Sequence, residues 1–273
     1  LTGKACSPYT VHWTYDTWAL ANGTGSALTK KGADTWFLLV ADYAFGAALE
    51  RDTSEAVTKA GGKVVGSVKH PLNSSDFSSF LLRAQASKAK VIALANAGSD
   101  MINAIKQASE FGITQGGQAL AGLLIFSSDV KALGLKAAQG LVLTEAFYWD
   151  QTDATRAFSK RFAAKFNGKM PTSAQAGVYS SVLHYLKAVA AAKSKDSDKV
   201  MAKMKELPID DVLFGKGKVR EDGRAIHDMY LYEVKKPEES KSEWDLYKVL
   251  ATIPADEAFR PLDQGGCPLV AKK

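Results

Sequence analysis

Short apolar runs alternate with amphipathic helical stretches along the first half of the chain, and this alternation restricts the fold more than any other feature. Thr35-Trp36-Phe37-Leu38-Leu39-Val40 is an apolar run bounded by Asp34 and Asp42, the pattern of a strand buried on both faces. A helix is expected over about 47–60, ended by Gly61-Gly62 where the chain turns through positive φ. Residues 64–68 read as the next strand. Ser75-Asp76 then supplies an N-cap for a helix with Phe77, Phe80, Leu81 and Ala84 on one face. The strand 90–95 follows, then Asn96-Ala97-Gly98-Ser99-Asp100 and a helix with Ile102, Ile105, Ala108 and Phe111 at helical spacing, stopped by Gly112. Residues 120–126 and 141–143 read as further strands, with a helical segment over 130–138 between them. Strands joined by helices of this length predict an α/β fold with a mostly parallel sheet covered on both faces.

The pattern changes near Asp153. Helices are predicted over 153–167, 174–192 and 198–207, and after Pro208 the pattern turns to strands at 218–220, 229–234 and 244–253. A helical stretch between two β-containing stretches is expected where a chain leaves one lobe, builds part of another and returns. A chain of 273 residues has room for two such lobes.

Composition excludes several classes. The hydrophobic fraction of 46% and charged fraction of 23% are those of an ordinary globular protein, so disorder is not expected. The net charge of +6 is spread over residues such as Lys160, Arg161, Lys165 and Lys169, with no basic run interleaved with aromatics. Nucleic acid is therefore not an expected partner. No stretch approaches the roughly 18–20 apolar residues that span a bilayer. The opening Leu1-Thr2-Gly3-Lys4 carries neither an initiator Met nor a signal peptide, so a leader and further residues are expected to precede it in the whole protein.

In open α/β sheets, ligands bind outside the carboxyl ends of the strands. Three loops hold that place: Asp42-Tyr43-Ala44-Phe45-Gly46, Asn96-Ala97-Gly98-Ser99, and Thr144-Glu145-Ala146-Phe147-Tyr148-Trp149. They offer aromatic surfaces for an apolar ligand portion, backbone amides at helix starts for a carboxylate, and one carboxylate of their own. The alternative for Tyr43, Phe45 and Phe147 is a purely packing role in the core. Enzyme signatures are missing. Gly23-Thr24-Gly25 lacks the third glycine of a dinucleotide fingerprint, and there is neither a Walker A sequence nor a GxSxG elbow. His12, His70, His184 and His227 are far apart and show no metal spacing, and His184 reads as a helix-face or interface residue. Acidic pairs such as Asp210-Asp211 read as solvated loops. No catalytic residue, metal or cofactor is expected.

The order strand, Asp42-Tyr43-Ala44-Phe45-Gly46, helix-Gly-Gly, Ser74-Ser75-Asp76-Phe77-Ser78, then Ile105-Lys106-Gln107-Ala108-Ser109-Glu110-Phe111-Gly112 resembles the type I periplasmic binding proteins. Within them it is most similar to the branched-chain amino acid (Leu/Ile/Val-binding-like) substrate-binding subunits of ABC importers. Met170-Pro171-Thr172, Phe214-Gly215 and Asp222-Gly223-Arg224 fit the same pattern, so the resemblance spans nearly the whole chain. It implies two α/β lobes, parallel sheets flanked by helices, and a solute held in the interlobe cleft by hinge closure. One lobe would comprise 16–145 and 226–273, the other 1–15 and 146–225. Roughly 100 residues at the front of that second lobe, expected in a chain of this type, are missing, which leaves the lobe incomplete.

The resemblance further implies a periplasmic, monomeric, non-enzymatic protein that delivers a small carboxylated solute, an amino acid or an aromatic acid, to a membrane permease. Tyr43 and Phe45 would be aromatic walls, Asn96 and Ala97 polar and backbone contacts, and Glu145 the ammonium partner, with Trp13, Phe147 and Gln175 as further contacts. A ligand-sensing module of a receptor or regulator is the alternative, since one fold serves both.

The two cysteines, Cys6 and Cys267, lie near opposite ends of the chain in the turn-rich stretches Ala5-Cys6-Ser7-Pro8 and Gly265-Gly266-Cys267-Pro268. Either they are bridged, which would imply an oxidising compartment, or they are separate thiols. Thiol titration under denaturing, non-reducing conditions separates these. A bridge leaves no reactive thiol, and two reactive thiols would exclude it.

Overall fold

The computed structural model describes residues 1–270. In chain order, helix α1 (Thr17–Lys30) leads into β1 (Thr35–Ala41), α2 (Ala44–Lys59), β2 (Lys63–His70), α3 (Ser78–Ala86), β3 (Val91–Ala95) and α4 (Gly98–Glu110). Next come β4 (Ala119–Gly122), α5 (Ser127–Leu133), α6 (Leu135–Ala138) and β5 (Val142–Glu145). Three helices follow, α7 (Asp153–Lys165), α8 (Ser173–Ala192) and α9 (Ser197–Glu206), then the short strands β6 (Ile209–Asp211), β7 (Gly215–Val219) and β8 (Ala225–His227). Strands β9 (Met229–Val234) and β10 (Tyr247–Ile253) and the one-turn α10 (Ala255–Ala258) complete the order. Contacts divide the chain into a sheet unit, Asp16–Glu145 with Tyr230–Thr252, and a helical unit, Leu1–Tyr15 with Ala146–Met229 and the tail from Ile253.

The sheet unit is built on seven strands in the order β10-β9-β5-β4-β3-β1-β2. The five strands from β5 to β2 run parallel, and β9 pairs antiparallel to β5. Burial follows position in the sheet. Central β3 is buried along its whole length, whereas edge strand β2 alternates and exposes Val65. Chain direction reverses after β2: β1 steps to β2 on one side, then β3, β4 and β5 follow on the other. Right-handed crossovers therefore put α2 on one face and α3, α4 and α5 on the opposite one. The packing agrees, with α1 against α2, and α3, α4 and α5 in contact in sequence.

Helix α1 is not signalled by the residue pattern, because Gly23 and Gly25 lie in its middle and lower its intrinsic helicity. Packing overrides propensity there. Gly25 is buried, and a Cβ at that position would already touch Ala56 Cβ and Val57 Cγ2 of α2 at 3.4 Å, so the small residue lets two helices meet closely. Asp16 caps the helix by accepting from Ala19 N–H at 2.8 Å. The expected strand over 120–126 ends earlier, at Gly122. Phe126 is instead the N-cap residue of α5, its N–H donating to Asp129 Oδ2 at 3.0 Å.

The helical unit packs α7, α8 and α9 with a three-stranded antiparallel sheet in the order β6-β7-β8. Its first residues are tied in by His12, whose N–H donates to Gly223 O and whose carbonyl accepts from Ala225 N–H. Arg224 is buried and donates Nη1 to His12 O at 2.8 Å and Nη2 to Thr14 O, with its guanidinium 4.2 Å from the Phe259 ring centroid. A disulfide joins Cys6 to Cys267, and Arg220 donates to Arg260 O at 2.8 Å. These contacts correct the expected grouping of 226–273 with the sheet unit. Only Tyr230–Thr252 belongs there, because the tail is fastened to the helical unit by the disulfide, Arg220 and Arg224. Residues 271–273 of that expected segment lie outside the described residues.

His184 of α8 is buried against α9, with Nε2 2.9 Å from Met204 O. One smaller expectation changes. Asp211 is no solvated loop residue: it lies in β6 and accepts from Ser180 Oγ, from Leu213 N–H at 2.8 Å and from Phe214 N–H at 2.9 Å. Among the described residues, no helix is long and apolar enough to cross a membrane, and no group of three or more His, Cys, Asp or Glu could hold a metal.

His227 is fully buried in the helical unit, stacked on Phe214 at 4.5 Å and edge-on to Phe259 at 5.3 Å. Burial and the neighbouring Arg224 charge lower its pKa to about 4, only partly opposed by the Asp228 carbonyl. The unfolded chain then binds the extra proton between pH 6.5 and 4, so stability is full above pH 6.5 and falls as pH drops through that window, by about 3 kcal/mol in all. Urea melts at pH 7 and 4.5 should show this loss in the wild type and little of it in H227F. An equal slope in both would assign the acid sensitivity elsewhere.

Candidate functional site

The reversal of strand order falls at the carboxyl ends of β1 and β3, the position at which open α/β sheets take ligands. Helices α2 and α4 begin there. Both lack a side-chain cap: the N-cap residues are Tyr43 and Ala97, each with extended backbone and no cap hydrogen bond from its side chain. Helices α1, α7, α8 and α9 are by contrast capped by Asp16, Thr152, Thr172 and Asp196. First-turn amides of α2 and α4 therefore keep their donors and the positive end of the helix dipole for another acceptor.

Local packing brings α2 in tightly. A Cβ on Gly46 would stand 2.0 Å from Ala41 O, so only glycine allows the first turn to fold back onto the last residue of β1. Tyr43 and Phe45 flank this turn with ring centroids 5.8 Å apart, Tyr43 exposed and Phe45 half-buried. Asp42, also exposed, forms an ion pair with Lys69 at 3.6 Å.

Asn96, at the end of β3, is fully buried. Its Nδ2 is 3.1 Å from His70 Nε2, and His70 Nδ1 is 2.8 Å from Pro71 O. A carbonyl only accepts, so Nδ1 carries the proton, Nε2 accepts, and the Asn96 amide group donates. Asn96 Oδ1 and Asp100 Oδ1, the latter in the first turn of α4, are buried acceptors with no hydrogen-bond partner in the protein. The other oxygen of Asp100 accepts from Asn73 N–H at 3.1 Å. Each unmet acceptor costs roughly 1–3 kcal/mol.

Glu145 ends β5, buried, and opposite Tyr230 of β9. Tyr247 of β10 donates its hydroxyl to Glu145 Oε1 at 3.2 Å, and the Tyr232 ring lies 5.4 Å from that of Tyr247. Tyr43, Phe45, Asn96 and Ala97 thus meet on the adjacent strand ends of β1 and β3, with Glu145 at the end of β5, separated from β3 only by β4. The other three candidates belong to the helical unit, and two of them have partners within it. Trp13 is buried, donates Nε1 to Ser180 Oγ at 3.0 Å and lies 5.1 Å from the His184 ring. Phe147 is 1% exposed. Gln175 caps α8, its Oε1 accepting from Thr172 N–H at 2.9 Å.

His70, Asp100 and Tyr247 were not apparent as site residues from the sequence. The spacing rule searches for histidines near one another, whereas His70 meets an asparagine 26 residues away through strand pairing. Its one usable signal is that it lies two residues beyond the strand predicted over 64–68.

A family model described as "Periplasmic binding protein" matches residues 1–241. A crystal structure of a periplasmic binding protein of Burkholderia mallei is 59% identical, with a TM-score of 0.92 over 98% of this chain and 71% of that one. A branched chain amino acid ABC transporter periplasmic ligand-binding protein of Burkholderia xenovorans is 43% identical, with the same TM-score and coverage. A Leu/Ile/Val-binding protein homolog 6 of Brucella melitensis is 32% identical over 131 residues, 47% of this chain and 34% of that relative's own length.

Proposed function

The chain belongs to the periplasmic binding protein family, whose neighbours are solute-binding proteins rather than enzymes, and from that premise we propose that it captures a small carboxylated solute for an ABC importer. The observation that carries this reading is the pair of uncapped helix starts, α2 and α4, flanking the point where strand order reverses. Amides there suit a carboxylate. The rings of Tyr43 and Phe45 suit an apolar side chain beside it.

Within that class we place an amino acid ahead of an aromatic acid. Glu145 and the unmet acceptors Asn96 Oδ1 and Asp100 Oδ1 favour a ligand that brings N–H donors and positive charge, which an ammonium does and a simple aromatic carboxylate does not. The B. xenovorans relative, named for branched chain amino acids, supports the same choice. The protein would act in the periplasm as a monomer, closing its two units about the connecting segments when solute binds and handing it to a membrane permease.

A thermal-shift screen of the full-length mature protein against amino acids, short-chain acids and aromatic acids tests this. A ligand at one hundred times its dissociation constant should stabilise the fold by roughly 2.7 kcal/mol. The expected hit is an amino acid, and E145Q should weaken it by roughly 10–100-fold, the value of a hydrogen bond to a charged group. Binding of an aromatic acid that E145Q leaves unchanged would overturn the amino acid assignment. Silence across the panel in a folded protein would overturn the carboxylated-solute reading.

A further inference from the structure

His70 has no assigned part in the site, yet three of the strand-end segments depend on it. Its backbone carbonyl accepts from Asp42 N–H at 2.9 Å, which fixes the start of the segment carrying Tyr43 and Phe45. Its Nδ1 donates to Pro71 O and so holds the turn after β2. Its Nε2 accepts from Asn96 and so holds the residue that leads into α4. Strand register explains how one side chain reaches all three. Ala41 pairs with His70, and Val40 with Ala95, so Ala41 lies between His70 and Asn96 in one row across β2, β1 and β3. Paired residues of a parallel sheet project to the same face, and the outer two members of such a row stand about 10 Å apart. The methyl group of Ala41 leaves room for an imidazole and a carboxamide to meet above it. Phe77 and Phe80 pack edge-on to the imidazole at 4.8 and 6.0 Å, fixing its plane.

The consequence concerns the polarity of Asn96. A carboxamide can present either its oxygen or its NH2 group, and the two ends differ little in shape. With Nδ1–H committed to Pro71 O, the bare Nε2 attracts the NH2 end and leaves Oδ1 as the unmet acceptor. We infer that His70 is a positioning residue for the ligand site: through its fixed tautomer it orients Asn96 so that the site takes a ligand donor, and through its carbonyl it sets the Tyr43–Phe45 turn. This inference rests on the solute-binding reading above, and it makes specificity for donor-bearing ligands depend on a residue that need not touch the ligand.

Two variants test it, with dissociation constants measured for the ligand identified by the screen and melting temperatures measured without ligand. H70F keeps an aromatic ring against Phe77 and Phe80 but removes the acceptor, and should weaken binding by at least about tenfold, the value of one oriented hydrogen bond. H70Q restores an acceptor and should recover affinity to within about threefold of wild type. Equal affinity in H70F and wild type, or equal losses in H70F and H70Q that track their melting temperatures, would overturn the inference. Long-range proton–nitrogen NMR of the wild type supplies an arm independent of folding in the variants. It should show His70 protonated at Nδ1 and bare at Nε2, and N96D, which offers Nε2 no donor, should move the proton to Nε2 or charge the ring. A wild-type ring already protonated at Nε2, or a ring unchanged in N96D, would overturn it. Failure of the wild type to bind any panel ligand would sink the solute reading alone, and the NMR result would still decide the His70–Asn96 pair.

Discussion

The reversal of strand order between β1 and β3 is the constraint on which the candidate site depends. Because crossovers between parallel strands are right-handed, a chain that turns back across its own sheet must move its helices to the opposite face. The strands at the reversal then release their connections in opposite directions, and a crevice opens between them. In this protein the strands at that point release α2 and α4, the two long helices whose N-cap residues, Tyr43 and Ala97, contribute no side-chain cap. Donors that other helices of the chain spend on Thr152, Thr172 or Asp196 are kept available there.

Several residues are better explained by this arrangement than by local preference. Gly46 is required because α2 starts directly on the last carbonyl of β1. Ala41 is small where a larger side chain would separate His70 from Asn96. Neither contributes a polar group to the site, yet each controls where polar groups lie. Asn96 and Asp100 each keep a buried oxygen without a partner in the protein, at the strand end where α4 begins.

Much of the sheet unit was legible because its strands are short apolar runs separated by helices with clear stops. Thr35–Ala41, Val91–Ala95 and the helix beginning at Gly98 can be read directly from periodicity and from Gly112. Helix α1 could not, because Gly23 and Gly25 argue against a helix unless the close packing on α2 is known. The tail was misplaced for a similar reason. Nothing local to Phe259 or Arg260 tells that Arg224 and Arg220 hold them in the helical unit. The loops carrying Tyr43, Phe45, Asn96 and Glu145 follow from the rule that ligands meet strand carboxyl ends. His70 was hidden because strand pairing, not sequence proximity, joins it to Asn96, and the pairing of Trp13 with Ser180 and of Gln175 with Thr172 likewise depends on the fold or on cap geometry.

The central claim is that solute binds at the carboxyl ends of β1 and β3, and amide hydrogen exchange with and without a saturating ligand tests it most directly. The account predicts slowed exchange in the first turns of α2 and α4, at 44–47 and 98–101, with no change at the opposite strand ends near 88–90 and 116–118. Binding that is proven by calorimetry but leaves both first turns unprotected would contradict it.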